Sequence, residues 1–255
     1  QQKVISLGRC MTERLLHRGV GEHNIHLIPN WAQAAPECEL DFRKQHGFDG
    51  KFLITYSGNL GLAHCFESII KAAQILQLSH PEMLFLFVGT GPRLAWVKDQ
   101  ASRLQLRNVQ FLSSQPFKKL GACLKAADIH LVSMRENLSG LVVPSKAYGI
   151  FAAGRPCFFI GPEKSEVARL IKEHSCGEVF NPADASGLKQ ALIDWFATPE
   201  RLRAAGSNAE KIASRFHLDA AVAAFHDLLM KTVPDAAAVS TRVKPGDALT
   251  PDFVK

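Results

Sequence analysis

In "ENLSGLVVPSKAYGIFAAGRP" (136–156), Pro144 and Ser145 are residue types that open helices, and Lys146 follows in the first turn. The aligned peptide dipoles disfavour a cation there unless an anion occupies the same end. Just upstream, Ser139, Gly140, Leu141 and Val142 could present backbone amides after a strand end. A diphosphate would satisfy both these amides and Lys146; a lysine solvated at the surface is the plain alternative. A second candidate is "YSGNLGLAH" (56–64), which joins the apolar run "KFLIT" to a helical pattern. Gly58, Asn59 and Gly61 could close amides on a phosphate at that helix start, with His64 one turn into the helix as a phosphate or hydroxyl contact. The stretch is neither a dinucleotide fingerprint nor a Walker loop, so a ligand-free turn explains it too, and capping or packing explains His64.

Two further groups share the same edge. Glu136 follows the run "DIHLVSM" (128–134) and could accept hydrogen bonds from sugar hydroxyls, or pair with Arg135 or Arg155. In "VQFLSSQPF" (109–117), Phe111, Leu112 and Ser113 offer apolar walls and backbone groups to a nucleobase, as an ordinary core strand and turn would also do. The sequence has no GxSxG elbow, no DxD, no HExxH, and no paired carboxylates arranged for glycoside hydrolysis. No metal or cofactor is required by this reading, because amides and a lysine can stabilise a departing diphosphate. No residue is singled out as a catalytic base.

The elements that must carry these groups alternate. Apolar runs at 51–56, 83–88, 109–112, 128–134, 157–160 and 177–180 read as strands, separated by amphipathic segments that begin around Phe66 and at 92, 116, 145 and 163. Runs so uniformly apolar belong to parallel strands covered on both faces, which predicts a doubly wound, Rossmann-like α/β fold with the ligand crevice beyond the carboxyl ends of the strands. Helical patterns then follow over 183–232. Residues 1–32 read as a strand, helix and strand ending in "HLIPNW", 33–50 as a linker, 51–182 as the nucleotide-binding unit, and 233–255 as a mobile tail.

The 255 residues, 47% hydrophobic, are ample for a buried core, and the net charge of +6 is compatible with an anionic partner. The basic residues are dispersed without aromatic platforms, which argues against nucleic acid. Six scattered cysteines without a CxxC pair read as reduced cytoplasmic thiols, and no apolar run is long enough to span a bilayer. A strand-like "VISL" almost at once, without an initiator Met, reads as an opening inside a larger architecture.

Taken in order, "HLIPNW", "YSGNLGLAH", "FLFVGTGPR", "NVQFLSSQPFKKLGACLKAADIHLVSM", "GLVVPSKAYGIFAAGRP" and "SEVARLIKEHSCGEVFNPAD" resemble the donor-binding half of GT-B glycosyltransferases of family 4 (glycosyltransferase group 1). The resemblance spans roughly residues 4–230. It is nearest to the subgroup with "SGN.G..H" and "VPSK", whose members assemble bacterial exopolysaccharide, colanic acid and O-antigen chains. It implies two facing Rossmann-like domains, of which this chain holds the end of the acceptor domain and the nucleotide-sugar domain, so that the chain alone is inactive. Family phosphate-binding Arg and Lys positions fall on Asn59 and His64, leaving Lys146 as the principal cation. Glu136 is the candidate for one donor-contacting glutamate, and the second, at the ribose, falls on Gly149. The implied reaction retains anomeric configuration and moves a sugar from a nucleotide-diphosphate sugar, UDP by family frequency, to a saccharide or polyprenyl-linked acceptor, in the cytoplasm with peripheral contact to the membrane. A non-catalytic nucleotide-sugar-binding module and a GT-B epimerase are the alternatives.

Overall fold

The computed structural model describes residues 3–32 and 39–232; residues 33–38 of the expected linker and the tail at 233–255 lie outside the described residues. Six parallel strands form the central sheet: β3 (Phe52–Ser57), β4 (Met83–Val88), β5 (Val109–Leu112), β6 (Ile129–Ser133), β7 (Cys157–Ile160) and β8 (Gly177–Phe180), in the order β5-β4-β3-β6-β7-β8. Five of six residues in β3 and all of β4, β6 and β7 are buried, as strands covered on both faces must be. One face packs Ile54, Tyr56, Phe85, Phe87 and Phe158 against α3 (Glu67–Ser79), α4 (Leu94–Arg103) and α8 (Ala185–Phe196). On the other, Val132, Phe159 and Met134 meet α6 (Lys146–Ala152), α7 (Glu166–His174) and α9 (Pro199–Ala213), and Leu53, Leu84 and Leu86 meet α5 (Phe117–Ala126).

The strand order reverses between β3 and β6, and at that point two neighbouring chains leave the sheet in opposite directions. The crevice this opens beyond their carboxyl ends is where such sheets take ligands. Both candidate loops, β3 to α3 and β6 to α6, start there.

The N-terminal residues form a separate two-stranded parallel sheet, β1 (Val4–Ser6) with β2 (Ile25–Leu27), flanked by α1 (Arg9–His17). Ion pairs lock α1 onto α7: Arg9 reaches Glu166 at 3.0 Å and Glu173 at 2.7 Å, and Arg169 grips Glu13 through two bonds of 2.7 Å. In the stretch read as linker, residues 39–50 carry a short helix, α2 (Phe42–His46), capped by Asp41 and ended by Gly47 in the left-handed conformation. Phe42 and Phe48 are buried against Leu53 and Leu86, so apolar burial gives this connection a fixed place. The last helix, α10 (Leu218–Thr232), has no buried residue and exposes Leu218, Val222, Phe225 and Leu229.

Candidate functional site

Lys146 is the centre of the crevice. Its amine donates to the Tyr56 hydroxyl at 2.6 Å and sits 3.9 Å above the Tyr56 ring, and that hydroxyl donates in turn to the Asn59 carbonyl at 3.0 Å. Among the described residues no carboxylate pairs with Lys146. The residue as a whole is half-buried, yet burial of the amine pushes it down to about 7 from the usual lysine range. Tyr56, by contrast, is raised by its own burial and stays a neutral donor. An amine held in place without a counter-charge, at the switch point of the sheet, is electrostatically unfinished.

The amine opens into a cavity of about 370 Å³. Ser57, Ser145 and Asn30 supply polar groups to its wall; Trp31, Leu120, Leu124 and Ile150 supply apolar surface. Gly58 and Gly149 complete the lining. A Cβ on Gly58 would lie 3.5 Å from the Lys146 amine, and Gly58 adopts φ +118°, so it contributes here by its lack of a side chain. The Gly58 amide is engaged elsewhere, donating to Val88 at 2.8 Å.

The expected phosphate cradle therefore divides. The Leu60 amide donates to Thr90 at 2.7 Å, and those of Leu141 and Val142 both close on Leu138, at 3.0 and 3.2 Å. The amides of Gly58, Leu141 and Val142 are thus committed to the turns that shape the loops. Those of Asn59, Gly61, Ser139 and Gly140 have no backbone partner among the described residues. Gly140, at φ +75°, is buried against α1, where a Cβ would come within 2.7 Å of the Cys10 carbonyl. Because α6 has only seven residues, its dipole is small, and the positive potential comes chiefly from Lys146.

His64 does not lie inside a helix, since α3 begins only at Glu67. Its Nδ1 donates to the Ser133 carbonyl, and the Arg135 amide donates to Ala63 at 2.9 Å; together these draw the chain across the end of β6 before helix can start. Burial first, then the charge of Lys146, pushes the imidazole down to about 4, so it is neutral. With the proton on Nδ1, Nε2 can only accept a hydrogen bond. In the free chain that nitrogen suits a hydroxyl donor, and a phosphate oxygen there would require the ring to take up a second proton.

Glu136 is exposed in a short 3-10 turn (Glu136–Leu138) and pairs with neither Arg135 nor Arg155. The three residues expected at the nucleobase lie apart from the Lys146 cavity. Phe111 stacks on Phe87 at 5.6 Å and lines an outer groove with Lys98. Leu112 packs against the α2 and α5 side, and Ser113 is exposed. The reason is topological: β5 is the edge strand, two places from β3. Tyr56, Trp31, Leu120 and Leu124 were not anticipated as site residues. Only Trp31, an aromatic directly after "HLIPN", carried a sequence signal.

The family profile described as glycosyl transferases group 1 matches residues 39–212. A protein of Escherichia coli K12 named as a colanic acid biosynthesis glycosyl transferase, WcaI, is 31% identical over 202 residues, which cover 74% of this chain and 49% of that one. A Pseudomonas aeruginosa protein named as a glycosyltransferase, WbjE, is 28% identical, covering 75% of this chain and 48% of its own length. The chain thus spans about half the length of these relatives. Among solved structures, Anabaena HepE in complex with UDP and glucose superposes with TM-score 0.75 at 17% identity, over 94% of this chain and 63% of that one. WaaG, a glycosyltransferase involved in lipopolysaccharide biosynthesis, gives 0.69 at 18%, over 83% and 58%. These structural likenesses establish the fold, that of one half of a GT-B enzyme.

Proposed function

The chain belongs to the glycosyl transferases of group 1, and from that premise we propose that it is the donor-binding part of a retaining, metal-independent transferase that takes a hexosyl or N-acetylhexosaminyl group from a UDP-sugar. The observation that carries this reading is Lys146: an amine fixed by Tyr56, without a carboxylate partner, beside a cavity at the switch point of the sheet. A diphosphate oxygen supplies the missing charge. As the sugar-to-oxygen bond breaks, negative charge grows on that oxygen, and a positioned cation stabilises it more than the ground state, with the amides of Asn59, Gly61 and Ser139, which carry no backbone partner among the described residues, as further donors. Glu136, exposed beyond β6, and the accepting Nε2 of His64 would hold sugar hydroxyls. The acceptor, a saccharide or a polyprenyl-linked saccharide of a bacterial surface polysaccharide, would be held by a facing domain, as the half-length match to relatives supports. The reaction would run on the cytoplasmic side of the membrane. Among the described residues no helix is long and apolar enough to cross it.

Calorimetric titration with UDP tests the reading. Lys146→Ala is expected to weaken UDP by about 10- to 100-fold, in line with loss of a charge-assisted contact of roughly 1.5–3 kcal/mol. Equal binding by the two proteins overturns the role of Lys146. A second reading, a nucleotide-sugar-binding module without turnover, is favoured by one feature, Gly149 where the family carries a ribose-contacting glutamate. Sugar transfer by a full-length protein that contains this chain would exclude it.

A further inference from the structure

We infer that α1 holds the β6 to α6 loop in shape for the nucleotide, with Arg9 and Glu166 as positioning residues although neither lines the Lys146 cavity. The inference rests on the diphosphate reading of Lys146 and adds to it what fixes the loop that carries the charge.

Residues four apart share one face of a helix, and α1 uses two neighbouring faces. Arg9 and Glu13 do not pair with each other; both reach α7, Arg9 to Glu166 and Glu173, and Glu13 to Arg169. Cys10 and Arg14, one position on, meet the β6 to α6 loop. There Gly140 adopts φ +75°, and a Cβ on it would come 2.7 Å from the Cys10 carbonyl oxygen and 3.0 Å from the Arg14 Cβ. Loop backbone therefore rests directly on the helix. Arg14 Nη1 donates to the Ser139 carbonyl at 3.5 Å. Cys10 shares one buried core with Val143, Ala147 and Tyr148, and Met11 packs on it beside Leu138 and Val142. The loop's own bonds do not fix its place: the amides of Leu138, Leu141 and Val142 close within it, and Arg135 anchors only its start, on Ala63. Among the described residues, the Arg14 contact is the one hydrogen bond that reaches residues 136–145 from outside the loop and α6.

The seat of α1 is set in turn by Glu166. It is buried in the first turn of α7, and its carboxylate accepts the Arg9 amide at 2.6 Å and Arg9 Nε at 3.0 Å. Arg9 is the first residue of α1, so one carboxylate serves the positive ends of two helices. Gly8 leaves the room for it, since a Cβ there would lie 2.8 Å from the Glu166 Cβ.

Coupling of this kind is reciprocal: a helix that holds the loop for UDP is itself held when UDP is bound. Hydrogen exchange on the whole chain reads it. UDP is expected to slow exchange across α1, no residue of which lines the cavity, and to leave α8, on the opposite face of the sheet, unchanged over the same times. Glu166→Ala frees the start of α1 and is expected to weaken UDP about fivefold or more, the low end of such couplings. Glu166→Gln keeps an oxygen that accepts the Arg9 amide and is expected to recover most of that affinity. If UDP binds through Lys146 but α1 and α8 respond alike, or a folded Glu166→Ala chain binds UDP as the unaltered chain does, α1 only packs and the phosphate reading stands. A Glu166→Gln chain as stable as the unaltered one yet as weak for UDP as Glu166→Ala also overturns the role of Glu166. Where Glu166→Ala does not fold, the exchange comparison decides alone. If UDP does not bind, both readings fail.

Discussion

The two loops that leave the sheet at its switch point are made of similar residues and behave differently. The loop after β3, Gly58 to Phe66, is stitched to its surroundings: Gly58 to Val88, Leu60 to Thr90, Arg93 to Leu60, and His64 to Ser133. The loop after β6, Arg135 to Ser145, closes three of its amides, those of Leu138, Leu141 and Val142, on its own carbonyls, is tied to the first loop by Arg135, and ends at a cation that no carboxylate among the described residues pairs. Glycine content alone suggests an anion cradle in both. The accounting of backbone donors separates them, because an amide already bonded in the free protein cannot be offered to a ligand without breaking that bond. The first loop is chiefly a scaffold, and the second carries the charge.

Breaking the scaffold should produce the largest effect. Gly89, at φ +141°, lies so close to the first loop that a Cβ would sit 2.1 Å from the Gly58 carbonyl oxygen. Gly89→Ala therefore combines an unfavourable backbone conformation with overpacking against main chain, together about 3 kcal/mol or more. Thermal unfolding should fall by roughly 6–12 °C for a chain of this size. An unchanged melting temperature would mean that the first loop is free to move and that the contrast drawn between the loops is wrong.

The second loop should respond in the opposite sense. Lys146 is depressed to about 7 in the free chain, so above that pH the native state has released a proton that the unfolded chain keeps up to its ordinary lysine range. The unfolded state then binds more protons, and stability rises with pH from about 7 toward 10. Lys146→Met should flatten that rise and, at pH 7, stabilise the chain by about 2 kcal/mol, since an uncompensated buried charge is replaced by apolar packing. UDP binding restores the proton, so affinity should fall between pH 7.5 and 9.5, by up to about tenfold per pH unit. That range lies above the titration of the terminal phosphate. A pH-independent affinity would show that the amine is not the group meeting the phosphate.

The fold was legible in the sequence because its strands are buried on both faces and so appear as unbroken apolar runs; Met83–Val88, Val109–Leu112, Cys157–Ile160 and Gly177–Phe180 begin and end where the runs do. The approach of Lys146 to a crevice was legible from a cation placed against a helix start. What could not be read was which amides are occupied, since Val88 and Thr90 reach the first loop from a strand distant in sequence. The expectation that His64 lies one turn into the helix fails for the same reason: the Ser133 carbonyl that holds it ahead of α3 lies 69 residues away. The residues expected at the base lie on and just after β5, and strand order, which a run of strands does not reveal, shows that strand to be the edge of the sheet.

The smallest expected effect sharpens the comparison at a third glycine. Gly149 sits inside α6 without the positive φ of Gly58, Gly89 or Gly140, and a Cβ there would meet only a Leu124 methyl at 3.8 Å. Nothing in the backbone requires glycine, and glycine in a helix interior costs about 0.5–1 kcal/mol relative to alanine. Gly149→Ala should accordingly raise stability by about that amount, or roughly 1–4 °C in melting temperature, where Gly89→Ala lowers it severalfold more. The other glycines are demanded by close approach or by φ; this one only keeps the cavity beside Lys146 and Trp31 open. If Gly149→Ala is stabilised and binds UDP as well as the unaltered chain, that space is spare. A stabilised variant with weakened UDP binding would mean that the space is occupied by the ligand, and that the chain forgoes helix stability to leave room for it.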